Sequence, residues 1–476
     1  MINRPIALLL MSALPLAACS VGPDYRPKAA AELGVPDRYS VPNPAAGARE
    51  DLGRWWDRFD DPLLTRYVEQ GRTANLDVAL ATTRLRQARE SLVQSRAQLL
   101  PQLSGSAGYS RNLTIAGQNF NVGGQNDNFS AGADASYQVD LFGGIRRGVQ
   151  ASQADLEATG YSLANVLISV QAEIARNYVL ARLAQLQLAN ARASLAIQDD
   201  NLEIAGFRVQ AGLVSSLDAE QARASRAQTA ATIPTIEASY NGFVSRLGVL
   251  LGQAPGALKA EMEAVKPIPK GPESVATGIP AETLRQRPDV RAAERGLAAA
   301  TARIGVAQAQ LYPALSIGGS LSSGGGVLQN VFDAISGRLF AGLTQVIFDG
   351  GRLRSQVRAN EAAAEGAFVT YRQTILTSLE DVENAIVSLD AAKQRARQFA
   401  IALEAANNSA LLARLQYRSG LTDFTTLNTT EAQLLSARNG LAQAQADQST
   451  ALIQLYLALG GGWDATSIPE LGNDNG

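Results

Sequence analysis

The sequence predicts a mainly α chain, written twice, in which long coiled-coil helices alternate with four amphipathic strands of bilayer-crossing length. Three observations carry this. The same short words recur in the same order at a nearly constant spacing. A long stretch without proline places apolar residues at a 3.5-residue period. Stretches that precede the helical pattern alternate strictly between apolar and polar residues.

The duplication is read first, because it frames every later element. Asp77-Val78 recurs as Asp289-Val290, and "AQLLPQLS" at 97 recurs as "AQLYPALS" at 309, both displaced by 212 residues. "VDLFGG" at 139 matches "VIFDGG" at 346, and Glu173 and Asn177 match Glu380 and Asn384. Gly212-Leu213 matches Gly420-Leu421, and "LGVLLG" at 247 matches "LYLALG" at 455, both displaced by 208. The predicted repeats are 71–252 and 288–461. The proline-rich segment 253–287 reads as a linker with one short helix, and 462–476 as a tail.

Composition narrows the function classes. The 476 residues exceed one ordinary domain. Apolar residues make up 46% but aromatics only 6%, which suits closely spaced helices better than an aromatic globular core. The net charge is -2, with no Lys/Arg run to mark a nucleic-acid surface. Histidine is absent and there is one cysteine, which removes the usual zinc sites, the Ser-His-Asp triad and any intramolecular disulfide. No nucleophile–base set stands out, so no catalytic residue, metal site or enzyme activity is assigned. Glu173 and Glu380 are read as solvated or lumen-facing helix positions.

The N-terminus reads as an address. Arg4 is followed by an apolar run from Ile6 to Leu16, too short to span a bilayer, and then by Leu16-Ala17-Ala18-Cys19. Residues 1–18 are expected to be a signal peptide. The Leu-Ala-Ala-Cys word resembles a bacterial lipobox, which implies diacylglycerol and an N-acyl chain on Cys19, the only cofactor-like group expected. Residues 19–70 are expected to be a lipid-anchored strap, with five prolines between 20 and 50.

From 129 to 141 the odd positions read Phe, Ala, Ala, Ala, Tyr, Val, Leu and the even ones Ser, Gly, Asp, Ser, Gln, Asp. Period-2 alternation of that length is a strand with one apolar and one polar face. Strands are expected at about 102–114 and 128–141, and in the second repeat at about 314–323 and 336–348. Ordinary hairpins on a soluble core are the alternative. Four strands are too few to close a barrel, so strands that meet lipid must share one barrel between several chains.

After each "GG" the pattern turns helical. One seam runs through Ala181, Ala184, Leu188, Ala191, Leu195, Gln198, Leu202, Ala205 and Val209; a second runs through Val179, Leu183, Leu186, Asn190, Ala193, Ile197, Asp200, Ile204 and Phe207. Both keep a coiled-coil spacing, and they lie about 200° apart around the helix. A helix over 145–206 would be roughly 90 Å long, with neighbours on both flanks. "AGLVSS" then reads as a tight helical turn: Gly212 suits the αL conformation and Ser215 or Ser216 can cap the next helix. "SGLTDF" repeats the device at Gly420, with Thr422 or Asp423 as cap.

Together the duplication, lipobox, hairpins and turns resemble the TolC family of outer membrane factors, nearest its lipoprotein branch that serves RND efflux pumps (OprM- and NodT-like). The words that carry it are "CSVGPDYRP" at 19, "WWDRFDDPLL" at 55, "RPDVRAAERGLAAATARIGVAQAQLYPALS" at 287, "FDGGRLR" at 348 and "LYLALGGGW" at 455. The resemblance implies a homotrimer whose four strands per chain complete a 12-stranded outer-membrane β-barrel, above a periplasmic α-helical coiled-coil barrel. It implies a passive exit duct for small molecules, with a periplasmic adaptor and an inner-membrane pump as partners and outer-membrane lipid around the strands. The exit duct of a type I protein secretion system is the alternative; a periplasmic coiled-coil adaptor fits the strands and the duplication less well. Gly212, Leu213, Gly420 and Leu421 match the adaptor-docking tips. The family's second tip usually carries an aspartate where this chain has Asn428 in "TLNTT". The periplasmic entrance is therefore expected to comprise Asp218, Thr425, Asn428 and Glu431, with Glu431 as the nearest acidic contributor and weak block by divalent cations.

Overall fold

The computed structural model describes residues 20–41, 52–112 and 126–464. In chain order the main elements are α1 (Pro62–Ala74), α2 (Leu76–Ala97), β1 (Gln102–Asn112), β2 (Asn126–Val139), α3 (Gly144–Gln210), α4 (Ser216–Leu250), α5 (Pro280–Gln286), α6 (Pro288–Ala309), β3 (Ala314–Gly325), β4 (Ile335–Thr344), α7 (Arg352–Arg418) and α8 (Phe424–Ala458). The duplication is legible in the lengths. α3 and α7 both have 67 residues, α4 and α8 both 35, and α2 and α6 both 22. At 1.5 Å per residue, α3 and α7 are each about 100 Å long.

Two compact units form. Of the described residues, one unit gathers those up to Lys28, Leu85–Thr159 and Ala292–Arg372; the other gathers Ala29–Arg84, Gly160–Arg291 and those from Gln373 onward. Each unit draws on both sequence repeats, because matching elements of the two copies pack side by side.

The first unit holds a four-stranded antiparallel sheet of order β1-β2-β3-β4. Its register lines up Leu103 with Ala135, Val139 with Leu315 and Leu321 with Gly337. Residues directly opposite share a face. One face therefore carries Leu103, Tyr109, Phe129, Tyr137, Val139, Leu315, Ile317, Leu321, Leu339 and Leu343, and the other is rich in Ser, Gly, Asn and Gln. Phe340 is the exception on the polar face: its ring lies where a Cβ on Gly318, its cross-strand partner, would collide.

β2 begins at Asn126 rather than 128, β3 runs to Gly325 rather than 323 and β4 begins at Ile335 rather than 336, while the expected end of β1 at 114 lies outside the described residues. Two further ends come early. β2 stops at Val139 rather than 141, because the Asp140 carboxylate accepts the backbone N–H groups of Ile145 (3.2 Å) and Arg146 (2.9 Å) and opens α3. β4 stops at Thr344 rather than 348; among the described residues it is a sheet edge, with no second strand beside it to carry the pairing on.

The second unit has an aromatic core. Trp55 stacks on Tyr456 at 5.3 Å and meets Trp56 and Phe59 edge-on. Asp61 caps α1 by accepting from Leu63 and Leu64 N–H, with Pro62 in the first turn where its missing N–H costs nothing. Buried Asn75 joins α1 to α2: its Oδ1 accepts from Asp77 and Val78, and its Nδ2 donates to the Leu250 carbonyl. α4 continues past Pro234. That residue is solvent-exposed, so the carbonyl it leaves unbonded can be hydrated.

Candidate functional site

The first predicted tip is a helix stop built from backbone. Gly212 has φ +69, its N–H donates to Val209 O at 3.0 Å, and Leu213 N–H reaches Arg208 O at 2.9 Å. Those two bonds make a Schellman motif, which consumes carbonyls the helix end would otherwise leave unbonded. Ser215 then caps α4, its hydroxyl accepting from Leu217 N–H at 3.2 Å. The second tip repeats each step. Gly420 has φ +73, with Gly420 N–H on Tyr417 O (3.0 Å) and Leu421 N–H on Gln416 O (2.8 Å). Asp423 caps α8 by accepting from Thr426 N–H at 2.7 Å. That bond holds the Asp423 carboxyl below the usual aspartate range. Leu213 and Leu421 are both exposed.

Arg208 ties the tips together. Its Nη1 donates to Tyr417 O at 3.2 Å and its guanidinium lies 4.7 Å from the Tyr417 ring centre. Beneath it Ala205, Ala222, Ala413, Tyr417, Phe424 and Leu427 form a small core. Burial pushes the Tyr417 phenol up; Arg208 opposes this and the Asp218 charge adds to it, so Asp218 belongs to the same cluster. Sequence reading missed Arg208, although a basic residue in the last helical turn is a recognisable signal.

Of the predicted entrance residues, Asp218 and Asn428 are half-buried and Thr425 is exposed. Glu431 requires a correction. It is only 4% exposed, and its carboxylate pairs with both Nε and Nη2 of Arg414 on α7, the latter at 2.7 Å. The pairing raises the Arg414 pKa further. Glu431 is therefore neutralised inside the helical hairpin and does not supply the free carboxylate expected at the mouth. The sequence showed that residues 428 and 431 share a helix face, but not that Arg414 stands opposite.

In the first unit, the segment after Cys19 has a built seat. Cys19 itself and the expected signal peptide, residues 1–18, lie outside the described residues. Val21 N–H donates to Phe142 O at 3.0 Å. Arg147, itself buried, donates to the carbonyls of Val21 and Gly22 (3.1 Å each) and pairs with Asp24 at 2.7 Å. Gly22, at φ +98, lies against Gly305: a side chain on Gly22 would strike the Gly305 backbone, and one on Gly305 would strike the Arg147 side chain and the Val21 carbonyl. Tyr25 donates to Glu294 at 3.0 Å, and Lys28 lies 4.1 Å over the Phe368 ring. The word "SVGPDYRP" is thus a docking sequence, with small residues where backbones cross.

These features have counterparts in known proteins. The profile of the outer membrane efflux protein family matches residues 68–253 and 279–461. Nodulation protein T of Rhizobium leguminosarum bv. trifolii is 31% identical over 456 residues, covering 95% of this chain and 96% of that protein. The pyoverdine export outer membrane protein OpmQ of Pseudomonas putida is 30% identical over 479 residues, covering 98% of each. Among solved structures, the outer-membrane channel OprN superposes with a TM-score of 0.84 at 32% identity, covering 94% of this chain and 100% of that one. The duplicated helices, the shared four-stranded sheet and these matches over almost the whole described length lead to one assignment: the chain belongs to the outer membrane efflux protein family.

Proposed function

We propose that the protein is the outer-membrane exit duct of a tripartite, RND-type efflux system for small molecules, assembled as a homotrimer and anchored by acylated Cys19. One observation carries the assembly: a four-stranded sheet with a continuous apolar face and two unpaired edges. In hydrocarbon every backbone N–H and C=O needs a partner, so such edges must close on other copies. Three copies supply twelve strands, within the range of outer-membrane barrels. The chain performs no chemistry in this reading; the adaptor meets Gly212, Leu213, Gly420 and Leu421, and the energy comes from an inner-membrane pump.

Two relatives support small-molecule efflux over protein secretion: OpmQ is named for pyoverdine export, and the TtgI protein of Pseudomonas putida, 29% identical, for toluene efflux. SilC of Salmonella typhimurium, 27% identical, is described as a probable outer membrane lipoprotein, which supports the anchor.

Light scattering of the detergent-purified protein should give a trimer, and a stable folded monomer would refute the shared barrel. The Gly212→Trp, Gly420→Trp double variant should still form trimers yet lose efflux in cells. Full efflux by that variant would remove the docking role of the tips. Mass spectrometry of the mature protein should find Cys19 acylated at the N-terminus.

A further inference from the structure

The polar face of the sheet carries one side chain that the rest of the face does not explain. The register places Ser104, Asp134, Ser320 and Arg338 in one row, and Gln102, Ser136, Gly318 and Phe340 in the next. Among the described strand residues, Phe340 is the only aromatic on this face, and Asp134 and Arg338 are its only charges. The remaining positions are small or uncharged polar residues. A phenyl ring ordinarily gains by burial, yet Phe340 is 50% exposed.

Its surroundings hold the ring down and leave it uncovered. Cε1 and Cε2 of Phe340 lie 2.8 and 2.9 Å from where a Cβ on Gly318 would stand, so the ring leans across β3 onto bare backbone. Two residues along β4 stand Gly342 on one side and Arg338 on the other, and the diagonal positions on β3 are Ser316 and Ser320. Of these only Arg338 is long enough to reach over the ring. An aromatic ring laid over a glycine supports a sheet, but that role calls for no charge beside it. Arg338 is exposed and makes no ion pair among the described residues. Two residues along a strand span about 7 Å, so its guanidinium borders the ring; Asp134 lies two strand spacings away in the same row, about 10 Å.

We propose that Phe340 and Arg338 form a transit site on the lumen face for flat aromatic anions of the carboxylate class. The aromatic ring of the cargo stacks on Phe340 and its carboxylate meets the Arg338 guanidinium. Asp134 repels the same anion from the β2 side of the row. The proposal rests on the shared-barrel reading above, which turns this face to the lumen, and adds what the lumen recognises. Trimer symmetry repeats the site three times at one height. Each copy is open to water and weak, which suits a duct: cargo is held briefly and then released.

Photolabelling tests the site. The probe is 4-benzoylbenzoate, a photoreactive aromatic carboxylate, irradiated with outer-membrane preparations that contain the full-length protein. Labelled positions are mapped by mass spectrometry of peptides, and only variants that are trimeric by light scattering are read. Label should fall within 316–320 and 338–342. Naphthalene-2-carboxylate should compete, and cyclohexanecarboxylate, which has the charge without the aromatic face, should not compete at the same concentration. Phe340→Leu keeps an apolar cover on Gly318 without an aromatic face and should reduce labelling roughly fivefold. Arg338→Gln should reduce it about threefold and leave labelling by uncharged benzophenone as it was. Arg338 is an exposed position, so its variant keeps the test open if Phe340→Leu does not assemble. Label confined to other positions, equal competition by the two acids, or undiminished labelling in either trimeric variant overturns the site while the trimer stands. A monomeric parent protein overturns the site and the shared barrel together.

Discussion

Asp423 and Glu431 are eight residues apart on one helix, yet their charges have different fates. The Asp423 carboxylate is exposed and held below its ordinary pKa by the Thr426 N–H it accepts. A carboxylate with a lowered folded-state pKa contributes stability above its unfolded value of about 3.9, and loses it as pH falls through the lowered value. Amide exchange in the first turn of α8 should therefore accelerate on acidification into that range, and Asp423→Asn should flatten the dependence. Glu431 instead faces Arg414 inside the hairpin. Glu431→Gln weakens a charged hydrogen-bond pair and should lower the local opening free energy of the α7–α8 tip by about 2 kcal/mol, read by hydrogen exchange. Arg414→Met with Glu431→Met should recover most of that loss, since a packed apolar pair leaves no buried charge alone. The same Glu431→Gln change should leave divalent block of the channel as it is, whereas Asn428→Asp should introduce block if residue 428 lines the path.

Among the elements, the docked segment Ser20–Lys28 is held by a small number of well-placed groups. It buries little apolar surface of its own, so its order depends on the Arg147 bonds and the glycine crossing at Gly22 and Gly305. Arg147→Met keeps the length of the side chain and removes every donor. It should release residues 20–28, seen as new protease cleavage between Ser20 and Arg26 and faster exchange at Val21, while the sheet keeps its protection. Unchanged protection of Val21 would show that the Phe142 carbonyl suffices. α3 illustrates the opposite case. Its first seam, from Ala181 to Val209, is buried or half-buried throughout, but the second opens to solvent at Ala193, Asp200 and Phe207. A helix with one satisfied and one unsatisfied seam is a helix made for a further neighbour.

For the whole molecule, the sheet and the helices make the same demand. Among the described residues the sheet ends in two bare edges and a bare apolar stretch at Ile347–Phe348, and α3 keeps a partly open seam. In the shared-barrel reading proposed above, further copies of the chain complete both.

Much of this was legible in the residues because it is local. Positive φ at Gly212 and Gly420, the caps at Ser215 and Asp423, the strand alternation from Phe129 and the seam spacing of α3 each depend on a few neighbours along the chain, and the duplication states each of them twice. What tertiary structure decided depends on what stands opposite. Glu431 reads as a free carboxylate until Arg414, seventeen residues earlier, folds across from it. Residues 345–348 read as strand from their place in the duplication, but a strand exists only where another backbone pairs with it, and along that edge the described residues of one chain supply none.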